Sequence, residues 1–217
     1  MFLKTATKML EVNQECYEMI HYLNHENIDE LKLGYLKGIE HCIMIDHIQN
    51  FYKDHSHINV KLYRDSRQQI EDMLRNYQVD CILTSRVGDD LINFEDDWQY
   101  QRIYSYPFVV AMNKNHQLAK ENYLHYFDVK NQTQVILDTN ELHFISQDLD
   151  MILMHLAISQ DTAILAQFTQ DYYAYQKYLR YISLQDFPQR FHIYIIWHKN
   201  TMNDILHAFL QSIQKSL

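Results

Sequence analysis

The first pattern along the chain is a narrow apolar stripe in its N-terminal part. The residues of this stripe follow one another at alternating steps of four and three: Phe2, Ala6, Met9, Asn13, Cys16, Ile20 and Leu23. A seam of this kind is typical of a helix that pairs with another helix, and a lone polar member such as Asn13 is a known means of fixing register. We therefore predict a dimerisation helix over residues 1–27. The alternative is an amphipathic helix lying on its own domain.

The pattern then changes to strand, helix, strand, helix, strand. The segments LKLGYLKG and INVKLYRD alternate apolar and polar residues, as half-buried strands do. The third segment, VDCILTSR, is almost continuously apolar before its polar end, which is typical of a central strand covered on both faces. Right-handed crossovers would make the three strands parallel, with helices packed on the faces of the sheet.

Between these strands lie two segments whose apolar residues have helical spacing. The first predicted helix has an apolar face formed by Cys42, Ile45, Ile48 and Tyr52. The second opens at Ser66 and has apolar residues at i, i+3, i+4 and i+7, namely Ile70, Met73, Leu74 and Tyr77. Two βαβ units are therefore expected in the first half of the chain.

The second half is less regular. QRIYSYPFVVAMNKNHQLA indicates two strands broken at Pro107, LHYFDV a short helix, and QTQVILD a strand. SQDLDMILMHLAISQDTAILAQF indicates an apolar helix and a short strand, FHIYIIWHK a strand, and MNDILHAFLQSIQKSL an amphipathic helix. With 3 glycines and 2 prolines no flexible linker is evident, so a domain boundary must fall where strands cross.

Composition narrows the possible functions. The chain has 217 residues, 47% of them hydrophobic, which suffices for a real core. Its formal net charge of -9 repels phosphate backbones, so the chain by itself is not expected to bind DNA. Its 3 widely spaced cysteines fit neither a disulfide framework nor a CxxC metal site, which favours a reducing cytoplasm. No apolar run approaches the roughly 18 to 20 residues of a membrane span, and the N-terminal segment is too polar for a signal peptide.

The sequence carries no recognisable catalytic motif. GxSxG, HExxH, P-loop and GxGxxG patterns are all missing, so neither an enzyme nor a cofactor is predicted. His21 and His25 have the i, i+4 spacing of a shared metal site, but no third ligand is nearby and no metal is predicted. Cys81 lies in an apolar strand and is expected to be buried and inert.

The polar ends of the three strands are the candidate binding site. The first ends at Leu36, Lys37 and Gly38, the second at Asp65, Ser66 and Arg67, and the third at Thr84, Ser85 and Arg86. Ligands of open α/β sheets bind beyond the carboxyl ends of strands, where helix N-termini favour anions. Because arginine matches carboxylate geometry with two parallel hydrogen bonds, these ends predict a clamp for a small anion.

Three of these residues also have ordinary structural interpretations. Ser66 with Gln69 has capping-box spacing, so the hydroxyl of Ser66 could simply cap the helix. Arg67 could be a solvated residue of the first helical turn. Arg86 could form a surface pair with Asp89 or Asp90.

Four stretches carry a resemblance to a known family. They are the segment from LKLGYLKG to VDCILTSR, including Asp80 before the third strand, then YSYPFVVAMNKNHQLA, LHYFDVKNQTQVIL and IYIIWHKN. In this order they resemble the effector-binding region of LysR-type transcriptional regulators, which has the fold of type 2 periplasmic binding proteins. FLKTATKMLEVNQECYEMI resembles the end of the family's DNA-binding wing and its long linker helix. The family's winged helix-turn-helix is not found in this sequence.

The resemblance implies a two-lobed α/β fold of mostly parallel sheets flanked by helices, preceded by the linker helix. Residues 31–106 and 195–217 would form the first subdomain and residues 107–194 the second, joined by two crossing strands. The effector pocket would be lined by the following residues: Gly38, Ser66, Arg67, Thr84, Ser85, Asp138 and Thr139. Where the family has glycines, this chain has Ser159 and Asp161, so a turn needing positive φ would be strained there.

The function implied is that of an effector-sensing domain. A small molecule in the cleft would change the angle between the lobes or the geometry of a dimer or tetramer, and a separate winged helix-turn-helix would pass this change to DNA. The alternatives are a cytoplasmic solute-binding protein of the same fold, an enzyme built on it, and an assembly-only module. The assembly-only module is an alternative because the segment 138–147 is shorter than is usual in the family.

Overall fold

The computed structural model describes residues 29–88, 95–130, 134–136, 149–171, 174–201 and 203–215. The predicted N-terminal helix with its stripe from Phe2 to Leu23, and the pair His21 and His25, lie outside these residues, as do Asp138 and Thr139. Within the described ranges, no helix combines the length and apolar character needed to cross a membrane.

The helices and strands follow one another largely in the predicted order, with two further strands, at residues 123–124 and 179–184, that were not predicted. In chain order they are β1 (Glu30–Leu36), α1 (Glu40–Asp54), β2 (Asn59–Asp65), α2 (Arg67–Arg75), β3 (Cys81–Val87), β4 (Trp98–Tyr106), β5 (Phe108–Asn113), β6 (Tyr123–Leu124), α3 (Tyr126–Val129), β7 (Gln134–Ile136), α4 (Leu149–Ile158), β8 (Thr162–Ala166), β9 (Leu179–Leu184), β10 (Phe191–His198) and α5 (Asp204–Lys215).

The first lobe is built on a five-stranded sheet with the order β2, β1, β3, β10, β4. β1 pairs in parallel with both β2 and β3, which confirms the predicted βαβ units. One face of the sheet packs against α1 and α5 through residues such as Leu33, Phe51 and Phe209. The other face packs against α2, where Ile70 and Ile82 share a second apolar cluster. Both faces of β3 are therefore covered, as its apolar sequence indicated.

The buried face of α1 differs from the predicted one. Ile45 is 61% exposed, whereas Met44, His47 and Phe51 are buried. Phe51 packs edge-on against Phe209 of α5, and the Nε2 atom of His47 lies 3.1 Å from the hydroxyl of Tyr104. The prediction that Ile45 belongs to the packed face was wrong, because only apolar residues were considered in placing that face. His47 is buried instead, and its ring has a hydrogen-bonding partner on β4.

The second lobe is built on a sheet with the order β6, β9, β5, β8, β7. α4 covers one face with Leu149, Ile152, Leu153 and Leu156. β5 is antiparallel to β8 and β9, just as β10 is antiparallel to β3 and β4 in the first sheet. In each sheet four strands run in one direction and one strand, β10 or β5, runs against them, so the mostly parallel sheets implied by the resemblance are confirmed. The expected subdomain limit at residue 194 falls inside β10, which belongs to the first sheet along its whole length.

Two connections cross between the lobes, one from β4 to β5 through Pro107 and the other from β9 to β10. Arg190 ties them together, because its Nε and Nη2 atoms donate to the hydroxyl and carbonyl oxygens of Ser105 at 2.6 Å and 2.8 Å. The ring of Phe191 lies 6.4 Å from that of Phe108 and 5.6 Å from that of Phe168, between centroids. An aromatic cluster thus joins the two sheets at the crossing.

The turn after α4 avoids the strain expected from its missing glycines. Among described residues other than glycine, Tyr77 is the one with positive φ, so Ser159 and Asp161 do not adopt it. The backbone N–H of Asp161 donates to the hydroxyl of Ser159 at 3.1 Å, and Asp161 Oδ2 lies 2.6 Å from His155 Nε2. Side-chain hydrogen bonds therefore close a turn that needs no glycine.

Gly34 allows close packing between β1, β3 and α2. A β-carbon at this position would lie 3.0 Å from Cγ2 of Ile82 and 3.7 Å from side-chain atoms of Ile70 and Val79. We expect Gly34→Val to lower the free energy of unfolding by about 1–3 kcal/mol through overpacking, measured by urea denaturation. Ser183→Val, on an exposed position of β9, is the matched control and should change it by less than about 0.5 kcal/mol. Equal effects of the two variants would contradict this packing.

Candidate functional site

The carboxyl ends of β1, β2 and β3 meet at one edge of the first sheet. Leu36 lies opposite Asp65, and the N–H of Lys37 donates to the Asp65 carbonyl oxygen at 3.1 Å. Thr84 and Ser85, at the end of β3, are fully buried. The sequence-based grouping of these strand ends is therefore correct in its geometry. We call this region the carboxyl edge.

A fourth strand reaches the same edge from the opposite direction. Because β10 is antiparallel to β3, its first residues lie beside the end of β3, with His192 opposite Arg86 and Ile193 opposite Ser85. His192 is buried. The sequence did not point to His192, because only the order of strands in the sheet brings it here.

Two helices begin at the carboxyl edge. α1 starts at Glu40, and its N-cap residue Ile39 makes no side-chain hydrogen bond to the helix. α2 starts at Arg67 and is capped by Ser66. The positive ends of both helix dipoles therefore lie at this edge, which favours a negatively charged ligand.

Ser66 is engaged in the cap of α2. Its hydroxyl accepts a hydrogen bond from the N–H of Gln69 at 3.4 Å and donates to Gln69 Oε1 at 2.7 Å. The N–H of Ser66 donates to the carboxylate of Asp65 at 2.7 Å. The sequence left two interpretations of Ser66, helix capping and ligand binding. These contacts are those of a helix cap.

Arg67 extends from the first turn of α2 towards the end of β3. Its Nη2 atom lies 3.4 Å from the hydroxyl of Ser85. Burial and, second, the neighbouring guanidinium of Arg86 lower the pKa of Arg67 to about 10, while the carboxylate of Glu71 acts in the opposite direction. Arg67 is charged at neutral pH, but its charge is partly desolvated, so it is not the solvated residue of the alternative interpretation. An anion beside it would compensate that loss of solvation.

The guanidinium of Arg86 forms hydrogen bonds with neighbouring groups of the protein. Its Nη1 atom donates to the carbonyl oxygen of Ser85 at 2.8 Å and lies 3.4 Å from the hydroxyl of Thr84, and its Nη2 atom donates to Glu71 Oε1 at 2.8 Å. Asp89 and Asp90, the expected partners of Arg86, lie outside the described residues. Glu71 was not singled out from the sequence, although its i+4 spacing from Arg67 places the two residues on one face of α2.

Gly38 lies where the first lobe approaches the second. Its φ of +98° is in the region that favours glycine, and a β-carbon on Gly38 would lie 3.6 Å from the β-carbon of Leu149, the first residue of α4. The carboxyl edge therefore faces the other lobe, with Gly38 at the point of approach.

The described residues offer no cluster of three or more His, Cys, Asp or Glu side chains that would suit a metal ion. Cys81 is a buried free thiol, and burial raises its pKa well above the usual value. Such a thiol is a poor nucleophile at neutral pH, as the sequence suggested. Arg67, the hydroxyls of β3 and the helix N-termini are groups of the kind that bind anions.

Two sheets joined by two crossing connections, with polar strand ends facing the opposite lobe, define an effector-binding domain of the periplasmic-binding-protein-like fold. The model of the LysR substrate binding domain matches residues 24–160. The chain therefore belongs to this family, whose members are regulatory domains. No match was found among curated protein sequences.

Solved structures of regulators share the fold. Full-length OxyR from Pseudomonas aeruginosa has a TM-score of 0.75 and 15% identity, with 93% of this chain and 74% of that chain covered. The effector binding domain of QuiR in complex with shikimate has a TM-score of 0.73 and 15% identity, with coverages of 86% and 96%. The BenM effector binding domain with its effector benzoate has a TM-score of 0.72 and 13% identity, with coverages of 86% and 91%.

The capping role of Ser66 can be measured separately from any ligand. We expect Ser66→Ala to lower the free energy of unfolding by about 1 kcal/mol, because an amide at the start of α2 loses its acceptor. Ser66→Asn, which keeps a capping oxygen, should leave stability close to that of the unaltered chain in the same denaturant titration. If Ala and Asn have the same effect, the hydroxyl of Ser66 does not stabilise the helix.

Proposed function

We propose that this chain is the effector-sensing domain of a LysR-type transcriptional regulator and that it binds a small anion at the carboxyl edge, against the second lobe. The observation that carries this proposal is the partly buried guanidinium of Arg67, whose Nη2 atom lies 3.4 Å from the hydroxyl of Ser85 at the end of β3. A partly desolvated cation at the meeting point of two helix N-termini is a natural partner for a carboxylate.

The solved relatives support the choice of ligand class. QuiR was solved with shikimate and BenM with its effector benzoate, and both molecules carry one carboxylate. Because both relatives have low sequence identity to this chain, neither shikimate nor benzoate is proposed as its effector. The residues proposed to contact the ligand are Gly38, Arg67, Thr84 and Ser85. Ser66 would support the site as the cap of α2, and Arg86 through its pair with Glu71. Asp138 and Thr139 remain candidates from the sequence alone.

The proposed coupling runs from the ligand to the arrangement of the lobes or subunits. A ligand shifts such an equilibrium only by its difference in affinity for the two states. A winged helix-turn-helix joined through the predicted N-terminal helix would read the change as altered DNA binding. Such a regulator would work in the cytoplasm, and the free thiol of Cys81 is compatible with that compartment.

Thermal-shift screening tests the ligand site. Amino acids, small organic acids and sugar phosphates are the compounds to screen, since a bound ligand raises the melting temperature by mass action. For an organic acid that shifts the unaltered chain, we expect Arg67→Gln to reduce the association constant at least about tenfold, because the guanidinium is the main cationic contact.

Arg75→Gln is the matched control for this test. Arg75 lies at the far end of α2, where it pairs with Asp72 and Glu95. Its loss should leave the ligand-induced shift in place. A ligand that binds Arg67→Gln as tightly as the unaltered chain would contradict the proposed site. A chain that responds to no compound but still assembles would favour the assembly-only module.

The outer face of α4 supports the proposed self-association. Leu149, Ile152, Leu153 and Leu156 are buried on its inner face, yet Met151, Met154 and Ile158 on the outer face are 48%, 45% and 79% exposed. A helix that is apolar on both sides is normally covered on both. We therefore propose that a second copy of this chain covers the Met151, Met154 and Ile158 stripe. The exposed Ile45 and Leu62 on the first lobe of that copy are the apolar residues proposed to contact it.

The double variant Met154→Glu and Ile158→Glu tests this surface. We expect it to raise the dimer dissociation constant by at least about a hundredfold, since two carboxylates would be desolvated in the interface. Sedimentation equilibrium at several concentrations measures the mass. Phe127→Glu, at a 67% exposed position on α3, is the control and should leave assembly unchanged. Equal masses for all three proteins would contradict the interface.

A further inference from the structure

We propose that Met151 and Met154, on the outer face of α4, form a modification site at which a hydroperoxide oxidises both thioethers to sulfoxides and thereby separates two assembled copies of the chain. This inference rests on the self-association proposed above. It adds a chemical reaction that would control that assembly.

The two methionines lie together on the exposed side of α4. They are three residues apart within the helix Leu149–Ile158, a spacing that makes their side chains neighbours on one face. Met151 is 48% exposed and Met154 is 45% exposed. Both residues are therefore accessible to a small oxidant dissolved in water.

Two kinds of apolar side chain occupy the two sides of α4. The inner side consists of buried aliphatic residues, namely Leu149, Ile152, Leu153 and Leu156. The outer side carries the two thioethers. Because a peroxide oxidises methionine sulfur and leaves aliphatic side chains unchanged, the reaction would alter the outer surface of α4 and preserve its packing on the sheet.

The other sulfur atoms in the described part of the chain are better protected. Met44 and Met112 are 4% and 0% exposed, and Met73 is half-buried beside the apolar cluster under α2. Cys81 is fully buried, and burial raises the pKa of its thiol, so it offers little thiolate to an oxidant. Among the described residues, the methionines of α4 are the sulfur groups most open to attack.

The reaction is the transfer of one oxygen atom and two electrons. A lone pair of the thioether sulfur attacks one oxygen of hydrogen peroxide, so that an S–O bond forms while the O–O bond breaks. The departing hydroxide takes the proton from the transferred oxygen and leaves as water. Sulfur is oxidised and the peroxide is reduced, so the reaction needs no further reactant.

A sulfoxide changes what a covering surface has to accept. It replaces an apolar thioether by a polar group with a strong hydrogen-bond acceptor, which water solvates in the separate subunit. Against the apolar Ile45 and Leu62 of a second copy, the sulfoxide oxygen would lose this water, which disfavours the assembly. By linkage, assembly would in turn protect the two methionines from oxidation.

Treatment of the full chain with hydrogen peroxide tests the proposal. Peptide mass spectrometry should locate an added oxygen on Met151 and on Met154 before Met44 or Met112 gains one. Sedimentation equilibrium should then show the dimer dissociation constant raised at least about tenfold. Methionine sulfoxide reductases should restore the original constant. Oxidation should also slow as the protein concentration rises through the dissociation constant.

Met151→Leu combined with Met154→Leu is the resistant variant. Leucine keeps the surface apolar without sulfur, so this protein should assemble, and peroxide should change its dissociation constant by less than about twofold. Met73→Leu is the matched control, because it removes a methionine of the first lobe and should respond to peroxide as the unaltered chain does. Met151→Gln combined with Met154→Gln has polar side chains of similar length and should weaken assembly without any oxidant.

Three outcomes would contradict the proposal. If peroxide leaves the two methionines unmodified, or modifies them without changing the dissociation constant of a chain that does dimerise, this inference fails and the assembly surface stands. If the leucine variant loses assembly on oxidation as the unaltered chain does, another group responds to peroxide and the role of these methionines is overturned. If the untreated chain is monomeric at every concentration, the assembly surface and this inference fail together.

Discussion

The position of β10 between β3 and β4 is the constraint on which the rest of this structure depends. Every residue of β10 is buried, and it pairs antiparallel with a strand on each side. Without it β3 would be an edge strand, and the polar residues at its end would be open to water. Because β10 also returns the chain from the second lobe, the same strand closes the first sheet and holds the two lobes together through Phe191.

Burial by β10 determines the electrostatics of the carboxyl edge. A guanidinium in water would be fully solvated, but Arg67 and Arg86 lie against a covered strand end, so their charges have to be balanced by protein groups or by a ligand. The protein supplies Glu71 for Arg86. The hydroxyl of Ser85, a neutral group, lies 3.4 Å from the Nη2 atom of Arg67.

Local patterns in the sequence were sufficient to predict most strands and helices and the meeting of three strand ends. They failed where a residue's role depends on distant parts of the chain. Ile45 was expected in the core, but the contact between His47 and Tyr104 orients α1 differently. His192 was missed because a strand's direction and its neighbours in a mixed sheet are not encoded in its own residues. Glu71 was missed because its partner Arg86 is 15 residues away in sequence. Ser66 was found, but sequence spacing alone did not separate capping from binding.

The helix α4 connects the two proposed activities of the domain. Its first residue, Leu149, lies against the turn at Gly38, so any ligand that changes the gap between the lobes acts on this end of the helix. Its outer face carries the Met151, Met154 and Ile158 stripe that we propose as the assembly surface. The other end is fixed to the turn before β8 by the contact between His155 and Asp161. A helix of this length moves as a rigid unit with the sheet on which it packs. A change at the cleft would therefore alter the angle at which the stripe meets a second copy, without any rearrangement inside the lobe.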